Sequence, residues 1–141
     1  MILSIFSAFV STIGFAVIFH TQRKHLITCG LVGAIGWAIY LFIDNLGLSS
    51  VLATFLAALV VTSVSYLLSK NRKTPITVFL ISGIIPLVPG VSLYRTMYSL
   101  LQSDYSSAVD SAALTFQLAG VIAGAIVIIS LVPLLWRKPR R

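Results

Sequence analysis

Before Arg23 the chain carries no Lys, Arg, Asp or Glu, and four more apolar runs follow it, so that stretches at 2–19, 26–43, 51–69, 76–101 and 112–136 take up most of the sequence. A run of roughly 18 or more apolar residues is long enough to cross a bilayer as a helix, and within hydrocarbon every backbone N–H and C=O must be satisfied inside the segment. The expected fold is therefore all-α and polytopic, a single transmembrane domain over 1–141 with five spans. The first run lacks the basic region that precedes the apolar core of a cleaved signal, so it is expected to stay as a span. Composition agrees: 58% of the 141 residues are hydrophobic and 9% charged, against about 25% charged in soluble domains. Five spans leave no room for an extramembrane catalytic or nucleotide-binding domain.

The charges are few and segregated. Ten Lys and Arg against three Asp give a net +7. If each run crosses once, Arg23, Lys24, Lys70, Arg72, Lys73, Arg137, Lys138, Arg140 and Arg141 share one side, while Asp44, Asp104 and Asp110 lie on the other. Basic residues in short loops mark the cytoplasmic side, which predicts an outside N-terminus and a cytoplasmic C-terminus. Topology and anionic headgroups account for the basic tail, and no nucleic-acid partner is expected.

Catalytic signatures are missing. There is no Gly-x-Ser-x-Gly elbow, His-Glu-x-x-His, phosphate loop or carboxylate pair, so no enzyme and no cofactor are expected. One Cys, Cys29, excludes a disulfide framework, and His20 with His25 lack the further ligands a metal site needs. No carboxylate lies inside a span, although proton-coupled small exporters normally use one, so a coupling group would have to come from another chain.

The chemistry concentrates in the fourth run, at Ser82-Gly83-Ile84-Ile85-Pro86-Leu87-Val88-Pro89-Gly90-Val91-Ser92-Leu93-Tyr94-Arg95-Thr96. A helix through 76–101 would measure about 39 Å, longer than the roughly 30 Å hydrocarbon core, which puts residues 86–90 near the midplane. Pro86 and Pro89 remove two backbone donors, and Gly90 tolerates positive φ, so the span is predicted to break into two half-helices there, with Ser92 as the cap of the second. The free N–H groups of that second half-helix would aim partial positive charge at a carboxylate, with Arg95 beyond them. Pro86, Pro89, Gly90, Ser92, Tyr94 and Arg95 are the predicted substrate-binding residues, and Gln117, the one amide in a span, joins them. Gly30, Gly33 and Gly36 on the second run, and the Gly-x-x-x-Gly of Gly120 and Gly124 on the fifth, predict close helix contacts. Thr54, Thr62, Ser63 and Ser65 are expected to return their hydroxyls to their own backbone, and Pro133 is read as a kink or helix end.

The run Ile84-Ile85-Pro86-Leu87-Val88-Pro89-Gly90 followed by Tyr94-Arg95, in the fourth of five spans of a small basic membrane protein, resembles the small YjjB-like component of the threonine/serine exporter (ThrE) family. The resemblance covers the whole chain in hydropathy and is specific at that motif. It implies one half of a two-component secondary exporter of threonine/serine or succinate-type dicarboxylates, located in the bacterial inner membrane. It also implies a larger YjjP-like partner with a soluble N-terminal domain and five spans of its own. Such a partner would end outside, where this chain's charges place its beginning, and the two halves would have inverted topologies. A homo-oligomer stays open. The alternative is a non-transporting scaffold subunit that stabilises a membrane partner through its glycine faces.

Overall fold

A computed structural model describes residues 1–135, with side chains to residue 131. Its elements are six α-helices: α1 (Ile2–Ile18), α2 (Leu26–Asn45), α3 (Ser50–Arg72), α4 (Ile76–Ile84), α5 (Gly90–Leu101) and α6 (Tyr105–Leu135). Short 3-10 turns at Arg23–His25 and Ile85–Leu87 precede α2 and follow α4. The all-α reading holds, and so does the break: Ile76–Leu87 and Gly90–Leu101 meet at 51°. By length and composition α2, α3 and α6 can each cross a membrane, and the bent pair is long and apolar enough to make a fourth crossing if it is one span. Helix α1 is apolar and shorter, at 17 residues.

Three helix ends are closed by the same device. His20, Lys73 and Ser103 have φ of 55°, 50° and 60°. At each, the following N–H reaches back five residues, from Thr21 to the Ala16 carbonyl, from Thr74 to Ser69 and from Asp104 to Ser99. This left-handed closure satisfies carbonyls that a helix end leaves free. It corrects one expectation. Hydropathy starts the fifth span at 112, yet α6 starts at Tyr105. The reason is local: once Ser103 has turned the chain, the Asp104 carboxylate accepts the Ser107 N–H at 3.2 Å and caps the new helix.

Helices α1 to α4 form a bundle, α6 joins it along α3, and α5 packs chiefly on α6. Small residues let the backbones approach. A Cβ on Gly30 would lie 2.8 Å from Ile13 and Phe9, one on Gly33 would run into Thr12, and one on Gly36 into Val61. The predicted contact face of α2 is thus the seam that holds α1 on one side and α3 on the other. The Gly120 and Gly124 prediction fails within this chain, because a Cβ at either would meet nothing within 4 Å. Their face of α6 points away from the bundle. Thr54, Thr62 and Ser63 bond to carbonyls four residues back, as expected, whereas Ser65 Oγ is buried with no partner. Helix α6 continues through Pro133, whose side chain, with Trp136 and the basic tail, lies outside the described residues.

Candidate functional site

The break after α4 is built from three consecutive constraints. Pro86 sits in the 3-10 turn, where its missing N–H costs no helical bond, and the Val88 N–H closes that turn onto the Ile85 carbonyl at 3.1 Å. Pro89 then adopts φ −74° and ψ 56°, and the Gly90 N–H reaches the Val88 carbonyl at 2.7 Å. That is an inverse γ-turn, which any residue can centre. Two expectations change as a result. Gly90 is the first residue of α5 and has no positive φ, since Gly47 alone among the described glycines does. Ser92 is not the cap either: Pro89 holds that position and no side chain caps α5. Ser92 lies one turn in and is buried.

With the fourth span entering the hydrocarbon core at Ile76, the break would lie past the midplane. From Ile76 to Leu87 the nine α-helical and three 3-10 residues climb about 20 Å of a roughly 30 Å core. Its neighbours agree, because Ser50 and Thr54 from the first turns of α3 line the same cavity. The break is therefore nearer the 46–49 loop than the basic 70–73 end.

Around it is a cavity of about 180 Å³, lined by residues 86–92, Trp37 and Tyr40 of α2, Ser50 and Thr54 of α3, and Leu118 of α6. Drug-sized sites run roughly 300–1,000 Å³, so this space suits a small metabolite. Trp37 and Tyr40 stack with centroids 5.0 Å apart and form one wall. The floor is the start of α5. Beyond the Gly90 N–H, the next two N–H groups, of Val91 and Ser92, have no backbone carbonyl in reach, and both residues line the cavity. Free donors at a helix start carry partial positive charge and favour an anion.

Of the predicted site residues, Pro86, Pro89, Gly90 and Ser92 line this space, whereas Tyr94, Arg95 and Gln117 do not. Tyr94 is exposed and stacks on Tyr98 at 6.1 Å. Arg95 is also exposed, on the outward side of α5, and Asp104 does not pair with it, its carboxylate being engaged by Ser107. Gln117 is exposed on the same open face of α6 as Gly120.

A second cavity, about 380 Å³, shares Trp37 and Pro86 with the first and lies against Ser4, Ser7 and Ser11 of α1. Sequence reasoning passed over this serine stripe, although the spacings of three and four that put it on one helix face are plain in the first run. All three serines are exposed. Trp37 and Pro86 thus belong to the linings of both cavities.

A family model described as "Threonine/Serine exporter, ThrE" matches residues 4–132. The chain belongs to the threonine/serine exporter family. No solved structure matches it. The match takes in the broken span, both cavities and the open face of α6, so the geometry above is that of an exporter-type membrane transporter. Within an exporter, the polar break in an apolar span has a ready use: irregular backbone at membrane depth is tolerated where it lines a cavity.

Proposed function

We infer that this chain is one half of a two-component secondary exporter of small carboxylate metabolites, of the threonine/serine or succinate type, in the bacterial inner membrane. It works by binding and movement, without catalysis. The observation that carries this reading is the pair of free N–H groups at the start of α5, held in a small cavity beside two prolines within a membrane span. A carboxylate would take those donors, Thr54 and Tyr40 would meet the rest of the substrate, and Trp37 and Pro86, shared by both cavities, would stand between two access routes.

What the bilayer leaves unsatisfied favours a partner. The exposed Gln117 and the open Gly120–Gly124 groove face outward from the bundle. Lipid offers such groups nothing, and another helix offers hydrogen bonds and close packing. The fitting occupant is a larger membrane subunit with a soluble N-terminal domain and inverted topology. Arg95 lies five residues past Gly90, about 7.5 Å along α5, so on this reading it completes the anion site at the junction of the halves. The charges support five crossings with the N-terminus outside, α1 being the shortest span. A scaffold role would leave the cavity and its free N–H groups without a purpose.

The test is export of a carboxylate by the assembled pair carrying Arg95→Lys or Arg95→Ala at matched expression. A guanidinium can clamp two carboxylate oxygens and an ammonium cannot. Both variants should lose most export. If Arg95→Lys exports like the parent, Arg95 is a headgroup anchor and the clamp is refuted.

A further inference from the structure

Helix α5 is amphipathic with its polar side turned inward. From Gly90 to Leu101 every residue is exposed or half-buried, and only Ser92, Thr96 and Ser99, which share one face, are less than exposed. The opposite side carries Leu93, Tyr94, Met97 and Tyr98, each half exposed or more. Helix α5 packs chiefly on α6, and the two, joined by the short 102–104 turn, run antiparallel as a helical hairpin. Equal climbs from that turn set Ser99, Thr96 and Ser92 level with Ala108, Ser111 and Thr115 of α6, and those three are also buried or half-buried. The seam between the helices is thus walled by hydroxyls and methyls, with no large aliphatic side chain from α5.

Small residues let membrane helices pack closely, and the two threonines fit that role. Thr96 Oγ1 donates to the Ser92 carbonyl at 2.9 Å, and Thr115 Oγ1 to the Ser111 carbonyl at 2.8 Å. Ser92 does not fit it. Its side chain is 9% exposed and lines the break cavity, and its Oγ bonds to no described residue. Unlike Ser65 Oγ, it is not sealed from a probe the size of water, so it opens on that cavity. Leu118 of α6 belongs to the same lining, which makes the cavity continuous with the inner end of the seam. The other end is the 102–104 turn, on the side that the charges assign to the outside. Within hydrocarbon a free hydroxyl is satisfied only by water or a polar solute.

The hold on α5 is weak. Among the described residues no side chain of α5 hydrogen-bonds to α6, and few buried apolar contacts mark an element that opens locally at low cost. A bend lies at each end, the γ-turn at Pro89 and the left-handed Ser103.

We propose that the seam between α5 and α6 is the outer route of the break cavity, a hydroxyl-lined path for a small polar solute, and that α5 is the gate that opens it by swinging on the turns at Pro89 and Ser103. The solute rests on the exporter reading above; the path and the moving part go beyond it.

Single cysteines in a Cys29→Ala background test this in the full chain, in sealed vesicles with and without the larger partner. The probe is a small, permanently charged thiol reagent added at the outer face, with Ser103→Cys as the control for access. Ser99→Cys, Thr96→Cys, Ser111→Cys and Ser92→Cys should react. Leu93→Cys and Met97→Cys, on the apolar side of the same helix, should react about tenfold or more slowly, because the reagent and the thiolate both need water. Whichever of L-threonine and succinate the pair exports should slow labelling at Ser92→Cys. Bridging Thr96→Cys to Ser111→Cys with a short reducible cross-linker should stop export by the pair, and reduction should restore it. Unreactive cysteines at Thr96 and Ser111 beside a reactive one at Ser103, or cysteines at Leu93 and Met97 that react as fast as the seam, overturn the route. Export at full rate with the bridge in place overturns the gate. Labelling needs no transport, so it reads the seam even if the pair exports nothing, the result that defeats the exporter reading instead.

Discussion

Replacing Gly33 with alanine adds one methyl group where the structure has no room for it. The new Cβ would run into the Oγ1, Cβ and Cγ2 atoms of Thr12. Thr12 cannot yield, since it is fully buried, its hydroxyl is bonded to the Ala8 carbonyl at 2.7 Å, and its β-branched side chain has few rotamers. On the aqueous scale Gly→Ala in a helix gains about 1 kcal/mol, against about 1–3 kcal/mol for overpacking. With stiff atoms on both sides the clash falls at the upper end, for a net loss of about 1–2 kcal/mol. Gly120→Ala is the matched control. It gains the same propensity and meets nothing within 4 Å, so it should be neutral or stabilising by up to about 1 kcal/mol. Cys29 is the one cysteine and is fully buried. Its exposure to a thiol-reactive fluorophore on heating therefore reports unfolding of the α1–α2–α4 junction. Gly33→Ala should lower the midpoint, Gly120→Ala should not, and Thr12→Ala should restore much of the loss in the double variant. Equal midpoints for Gly33→Ala and the parent, or no rescue, would refute the seam as described.

Further outcomes follow from other parts of the chain. Ser103→Gly removes a left-handed conformation that costs a non-glycine residue about 1–2 kcal/mol and should raise the unfolding midpoint; a fall would contradict the φ of 60°. The Ser107 hydrogen bond holds the Asp104 carboxyl below its usual pKa. The cap's contribution is therefore present above the ordinary aspartate value and fades as pH falls through the depressed one, so protection of the Ser107 amide relative to its intrinsic exchange rate should fall on the acid side and lose that pH dependence in Asp104→Asn. In a Cys29→Ala background, single cysteines at Asn71 and Ser103 should label from opposite faces of sealed vesicles, and labelling from one face would overturn the five-crossing topology. Gly120→Leu should leave the isolated chain folded but weaken co-purification with a partner; unchanged co-purification would remove the α6 groove from the interface.

The apolar runs were legible because membrane crossing needs length and hydropathy alone, and the break because two prolines three residues apart cannot continue a helix. Details of the break were less legible. Glycine after proline suggested positive φ, yet the γ-turn at Pro89 bends the chain before Gly90 needs any special conformation. The start of α6 was hidden by polarity: Tyr105 to Ser111 reads as a loop by hydropathy, although Asp104 with Ser107 three residues on is a capping pattern. His25 was read as half of a poor metal pair in a charged loop. Its burial arises from Thr74 and Phe79, which reach it only when the inner ends of α3 and α4 close over the turn, and no local pattern encodes that. The outward placement of Arg95 and Gln117 was beyond reach for a similar reason, since helix faces are chosen by packing against neighbours that hydropathy cannot rank.

The central claim is that this chain moves small carboxylates only as half of a pair. Efflux of L-threonine and of succinate from loaded proteoliposomes tests it most directly, with this chain alone, the larger partner alone, and both together. The account predicts efflux of at least one of these substrates from vesicles holding both chains, its loss in the Arg95→Ala pair, and none above leak with either chain alone. Efflux at the full rate from vesicles containing this chain alone, or none of either substrate from the pair, would contradict it.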